Sequence, residues 1–394
     1  MEADRDGAAF EVHFLEKVQR LLAEGDFSAT YKFAVLLGLV ELAVETSTPG
    51  TGYRDTFTTH ELARRVLAIY WPQVREIAPS AGGKTVVLKQ NSGRQANIVS
   101  VLADLSGRAG PVPIEALRSL RPVEYDECVR LVEWKLIEMP LPRLQQLRSG
   151  SGSFIYTIGW EVGDVTPRGG HLKKVVGAYQ RGRPSDFDNT IRMLPGVTAA
   201  LARLHGLVRQ LVEARWLLEV RKFNREFLRD PDLDTHLFGA ERLDLGRVRG
   251  PLREQQSGRC FYCGSTMRDA AVDHFLPWAR YPDDRIENLV VAHARCNGSK
   301  SQHLASVVHL DHWLERFDPT STARAELRDI AARVAWPEGG SATLAIAGHV
   351  YAQYPADAGL WHAVKEFHRW TPSDVTGRLD SAARRLHESA AQRS

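Results

Sequence analysis

The sequence predicts a mainly α protein carrying one small α+β module in its second half. Apolar residues recur at helical spacing through most of residues 1–250 and again after residue 304. Strand-like composition is confined to short pieces. Three of the four cysteines gather in 259–301 with an Asp-His pair and two asparagines, and short apolar runs separate them.

The elements follow in order. Phe10, Phe14, Leu15, Val18, Leu21 and Leu22 mark a first helix that Gly25 and Asp26 end. Residues 28–45 are apolar nearly all round and read as a buried helix. Thr58-Thr59-His60-Glu61 has the form of a capping box, so a helix should start there and run to Trp71. The loop SAGGKT at 80–85 lacks the glycine spacing of a phosphate loop, and the TVVLKQN that follows reads as extended. Helices are expected at 93–106, 111–120 and 124–136, then a linker containing SGSGS at 149–153, and a strand or hairpin start at 154–162. The longest helical pattern is 196–224. Beyond the 259–301 segment, helices are expected at 304–317, 322–335 and 357–369, followed by a polar tail that frays. Three parts result: a helical region 1–250 suited to recognising a target or partner, a module 251–310, and a helical C-terminal region 311–394.

Composition excludes several classes. With 43% hydrophobic and 25% charged residues the chain has a globular balance. No apolar run is long enough for a membrane span, and the acidic start MEADRDGAAF lacks a secretory pattern, so a cytoplasmic protein is expected. Four cysteines, three of them beside a histidine, suit a metal site in a reducing compartment better than a disulfide framework. A net charge of +3 says little about partners.

Within 259–301, Cys260-Phe-Tyr-Cys263 is a C-x-x-C knuckle and His293-Ala-Arg-Cys296 a second pair. Two such pairs can close a tetrahedral Zn²⁺ site of three thiolates and one imidazole. Between them, Val272-Asp273-His274 ends one apolar run, and Glu287-Asn288 enters another. Adjacent residues on a strand point to opposite sides, so Asp273 and His274 can serve different partners. With Asn297 opening a helix just past the second knuckle, the order is strand, loop, strand, helix: a ββα unit.

The set C-x-x-C, D-H-x-x-P, E-N-L, H-x-x-C and C-N-x-x-K, in that order, resembles the HNH, or ββα-metal, endonucleases over residues 255–305. The second knuckle starts with His293 where many members have cysteine, and the last family letter is Asn297 instead of histidine. The resemblance implies that Asp273 and Asn297 hold one catalytic Mg²⁺ (or Mn²⁺), that His274 is the general base, and that Asn288 braces the loop and orients it. Cys260, Cys263, His293 and Cys296 would hold structural zinc, and Lys300 would neutralise a phosphate. It further implies a nucleic-acid substrate, DNA in the first instance, and a setting in restriction or phage defence. Structured RNA as substrate, or a nucleic-acid-binding adaptor with zinc but no cleavage, are the alternatives.

Elsewhere, residues 166–184 carry Lys173, Lys174, Arg181 and Arg183 without an acid. They form either a phosphate-contacting loop or a solvated one. Trp71, Trp134, Trp160 and Trp216 read as core, Cys128 as buried and inert, and His303, His309 and His312 as a fortuitous helical cluster. The helical region could also support a homodimer or bind a regulatory partner.

Overall fold

A computed structural model describes residues 2–25, 29–47, 52–78, 84–93, 95–110, 112–147, 150–165, 170–227, 233–238 and 244–391. Helix dominates, and the sheets are small. The chain forms two compact units: Met1–Ala43 with Arg54–Glu241, and Val44–Tyr53 with Arg242–Ser394. Residues 251–310 and 311–394, separated in the sequence reading, therefore share one unit, which also takes in Val44–Tyr53.

In the first unit, the helix Thr59–Tyr70 starts where the capping box requires. Glu61 N–H donates to Thr58 Oγ1 at 3.1 Å, and Thr58 N–H donates back to Glu61 Oε2 at 2.8 Å. This helix packs on Pro122–Glu138, where the buried Glu133 accepts from Thr59 at 2.7 Å and from Gln180 at 2.9 Å. Phe33, Tyr70 and Trp216 form the aromatic centre, with Trp216 fully buried. Trp71 and Trp160 are buried as expected, Trp134 is half-buried, and the Cys128 thiol is pushed up to about 11 by burial.

Two expectations in this unit change. The 196–224 pattern divides at Leu204 into Val197–Arg203 and His205–Phe223. The strand expected at 154–162 shrinks to Tyr156–Thr157, at the edge of a sheet with Thr190–Met193 and Thr56–Thr58. On the N-terminal side Gln145 takes the place of a strand partner. Its Oε1 accepts the N–H groups of Phe154, Ile155 and Tyr156 at 2.9, 2.6 and 3.2 Å, satisfying donors that a neighbouring strand would otherwise take. Part of the SAGGKT loop and residues 166–169 lie outside the described residues.

In the second unit, the strands Ala271–His274 and Leu289–Ala292 pair antiparallel, with Asp273 opposite Val290 and His274 opposite Leu289. The helix Ala294–Lys300 follows and packs on the first strand. Helices Val307–Leu314 and Thr322–Val334 fall where expected. The helix expected at 357–369 is instead a hairpin, Leu360–Ala363 with Glu366–His368. Lys365 takes a left-handed turn conformation there (φ 65°), and Trp361 is buried from the strand. The fraying tail is a helix, Pro372–Ala391, packed on a further helix, Gly340–Ala352, that the pattern did not mark. No described helix is long and apolar enough to cross a membrane.

Candidate active site and zinc cluster

The knuckles come together as their spacing requires. The ligand atoms of Cys260, Cys263, His293 and Cys296 all lie within 4.8 Å of one another. Thiolates bound about 2.3 Å from one tetrahedral ion sit roughly 3.8 Å apart, so this donor set fits zinc. Gly264, at φ 67°, lets the first knuckle turn, and its N–H donates to the Cys260 carbonyl at 2.9 Å. His293 Nδ1 lies 3.3 Å from Cys263 Sγ, and its Nε2 lies 3.3 Å from the Thr266 carbonyl. That carbonyl can only accept, so it holds the proton on Nε2 and leaves Nδ1 as the ligand atom. At Cys263, burial raises the thiol, but hydrogen bonds from Ser265 and Cys260 outweigh it and bring the group down to about 6. At Cys296, burial and the neighbouring sulfurs push the thiol up to about 12.

Beside the cluster, the strand end sends Asp273 and His274 into different surroundings, both largely buried. Asp273 Oδ2 accepts from the Tyr262 hydroxyl at 2.5 Å and pairs with Lys300 Nζ at 3.0 Å. Its Oδ1 has no protein partner among the described residues. Lys300 is fully buried and also donates to the His274 carbonyl at 2.8 Å. Burial lowers its pKa, and Asp273 opposes the shift. Sequence reading weighed a phosphate contact against a solvated surface position for Lys300. Both are corrected: a lysine with no exposed surface, bonded to Asp273, is not solvated and does not reach a backbone outside.

His274 Nε2 meets Asp284 Oδ1 at 2.7 Å, and the ring packs edge-on against Trp278. A carboxylate only accepts, so Nε2 carries the proton and the lone pair is on Nδ1, which has no protein partner among the described residues. Sequence reasoning missed Asp284. The available signal was the acid pair in YPDDRIEN, on the loop joining the two strands.

That loop is held by buried polar bonds. Asn288, with no exposed surface, accepts from Leu276 N–H at 2.8 Å and donates to the Leu276 and Asp283 carbonyls at 3.2 and 2.9 Å. Asp283 accepts from Arg285 and Thr343, and Arg285 reaches Glu45 Oε2 at 2.5 Å. Tyr281 donates to the other oxygen of Glu45 at 3.1 Å. Trp336 Nε1 donates to the Asp284 carbonyl at 2.7 Å, and Trp313 Nε1 to the Glu287 carbonyl at 2.9 Å. Burial raises the carboxyls of Asp283 and Glu287, which their hydrogen bonds lower only in part.

Asn297 is half-buried on the Ala294–Lys300 helix, and its side chain has no hydrogen-bond partner among the described residues. An unpartnered Asp273 oxygen and an unpartnered amide, on a strand and the helix packed against it, suit a hard divalent cation that keeps several waters. Lys173, Lys174, Arg181 and Arg183 lie in the first unit, on and just after the helix Gly170–Tyr179. Lys173 Nζ sits 5.9 Å from the Trp134 ring centre, and Lys174, Arg181 and Arg183 are exposed.

A ββα unit with an Asp-His pair ending its first strand, beside a Cys3His cluster that could hold zinc, is the arrangement of a nuclease domain. Residues 260–306 match the family model described as HNH endonuclease, so the chain carries an HNH domain there. No curated protein and no solved structure matches the chain.

Proposed function

We propose that the protein is an endonuclease that hydrolyses phosphodiester bonds, with duplex DNA as its substrate. The observation that carries this reading is the His274–Asp284 pair beside Asp273 within the HNH domain. Asp284 keeps the proton on Nε2. Nδ1 of His274 then takes a proton from a water as that water attacks phosphorus and the bond to the 3′-oxygen breaks; the departing oxygen takes a proton from solvent, leaving 5′-phosphate and 3′-hydroxyl ends. Asp273 Oδ1 and the Asn297 amide oxygen would hold Mg²⁺ or Mn²⁺. Such an ion, when bound, stabilises the charge that builds on the phosphate and the departing oxygen. Asn288 and the polar bonds of the loop position the imidazole and are not themselves reactive.

One observation favours a second reading, a zinc-stabilised binding or adaptor module without cleavage. The Lys300 ammonium already neutralises Asp273, as it would in a site that holds no cation. Incubation of the full chain with supercoiled plasmid, single-stranded DNA and tRNA, with and without Mg²⁺, separates the readings. The nuclease reading expects Mg²⁺-dependent cutting of duplex DNA that His274→Ala abolishes. Cutting that persists in His274→Ala sinks the assignment of the base. Preferential cutting of tRNA moves the substrate to RNA, and salt-sensitive binding without cutting supports the adaptor. One such active site cuts one strand, so linear product without a nicked precursor would indicate a homodimer. A role in restriction or phage defence rests on analogy with the family's usual setting, and a plating assay against phage tests it.

A further inference from the structure

We infer that the hairpin Leu360–Ala363/Glu366–His368 carries a second metal site, distinct from the cysteine cluster and from Asp273. His362, Glu366 and His368 would bind a divalent first-row transition ion of the zinc class. Their ligand atoms lie within 4.8 Å of one another. The local backbone explains how. The pairing register shifts between Trp361 and Ala363, an irregularity that re-aims the intervening residue. His362 and His368 thereby face each other, ring centres 3.9 Å apart, and His368 Nε2 meets Glu366 Oε1 at 3.0 Å; the exposed His368 ring would turn about its side-chain bonds to aim its lone pair at an ion shared with His362.

His362 is prepared as a ligand. Its Nδ1 lies 3.0 Å from the hydroxyl of Ser306, a fully buried residue, and its carbonyl accepts from His309 Nε2 at 2.7 Å. Where the ring donates Nδ1–H to that hydroxyl, Nε2 is left as the ligand atom, the arrangement that outer partners impose on metal-binding histidines. The strand itself is anchored. Ser306 N–H donates to the Trp361 carbonyl at 2.7 Å, Trp361 N–H to the Leu304 carbonyl at 2.8 Å, and Trp361 Nε1 to Ser299 Oγ at 3.0 Å. His309, read from sequence as part of a fortuitous cluster, is thus a support for this hairpin.

Donor chemistry selects the ion. Two imidazoles and one carboxylate suit zinc, cobalt or nickel, whereas magnesium and calcium prefer oxygen ligands. Three protein ligands leave a position open, as in zinc sites that bind water or an exogenous group. Glu366 and His368 are 56% and 41% exposed, so the open position faces solvent. Bound metal would staple the hairpin, which packs against the Ala294–Lys300 helix.

The test is a metal count on the full chain without an affinity tag, dialysed against buffered Zn²⁺ with excess Mg²⁺ present. The wild type should hold one equivalent more than His368→Ala or Glu366→Ala, both surface changes that leave circular dichroism unaltered. In a Co²⁺ titration, the first equivalent should give the intense thiolate charge-transfer absorption. The second should add only weak visible bands, and His368→Ala should weaken its binding at least tenfold. Equal metal content in wild type and both variants, or a second equivalent that survives in His368→Ala, overturns the site. No nucleic acid enters the experiment, so failure of the nuclease reading would not affect it.

Discussion

Replacing Lys300 with methionine tests the electrostatics of the strand end. The change keeps a long, unbranched chain in a position with no exposed surface, so the cavity contribution is small. What it removes is the charge 3.0 Å from Asp273 Oδ2 and the donor 2.8 Å from the His274 carbonyl. Taking one partner from a buried pair costs about 3–5 kcal/mol, because the other charge is left uncompensated. Here the Tyr262 hydroxyl still donates to Asp273, which places the expected loss near the lower end, about 3 kcal/mol. A divalent ion at Asp273 would offset part of it. An ion present at a hundred times its dissociation constant stabilises by about 2.7 kcal/mol, so Mg²⁺ at such a concentration should stabilise Lys300→Met and the wild type by similar amounts. Urea unfolding in zinc-replete buffer, with and without Mg²⁺ and followed by tryptophan fluorescence, gives both numbers. A loss below about 1 kcal/mol refutes the buried-pair account. The absence of a Mg²⁺ effect on either protein refutes a cation site at Asp273. Adding Tyr262→Phe completes a double-mutant cycle, and additivity would show that the two groups do not share the carboxylate.

Further predictions bear on the same unit and on the first one. Asp284→Asn should lower cutting about 10–100-fold, the range for losing a positioning partner. It should also shift the pH–rate profile while leaving the fold intact; an unchanged profile removes Asp284 from the mechanism. Asn288→Ala strands three buried backbone groups, at about 1–3 kcal/mol each before relaxation, and should cost at least about 2 kcal/mol in a denaturant melt. His293→Ala should release zinc and unfold the module, whereas His274→Ala should stay folded and silent; zinc retained by His293→Ala contradicts the ligand assignment. Glu61 and Glu133 have carboxyls lowered below their ordinary 4.5 by hydrogen bonds that outweigh burial. Their stabilisation is therefore complete above pH 4.5 and lost as pH falls through the lower folded values. Glu133→Gln should flatten that acid limb, and an unchanged limb would count against it.

The HNH module was legible because the family's pattern sets particular residues at particular spacings. The convergence of the two knuckles could be read from order alone. Asp284 was not, because its partnership with His274 depends on how the loop folds back, and one acid in an acidic loop has no distinguishing spacing. Lys300 was misread for a related reason. Sequence places a lysine one helical turn after Asn297, but only the packing of that helix on the first strand turns it inward. The hairpin at 360–368 shows the limit of periodicity. Its apolar residues fit a helix and a strand comparably, and the left-handed turn at Lys365 decides between them.

Lys300 also bears on how Asp273 is accommodated. Asp273 is largely buried, and a carboxylate there without a partner would be costly. An internal ammonium offsets that cost in the folded chain. Because that ammonium engages Oδ2, Oδ1 stays available to a ligand. On this argument Lys300 holds Asp273 ready to bind metal and does not compete with it. The argument requires Lys300→Met to bind Mg²⁺ no more tightly than wild type. A variant that binds Mg²⁺ more tightly at every pH would show instead that Lys300 competes for the site, which is what the adaptor reading expects.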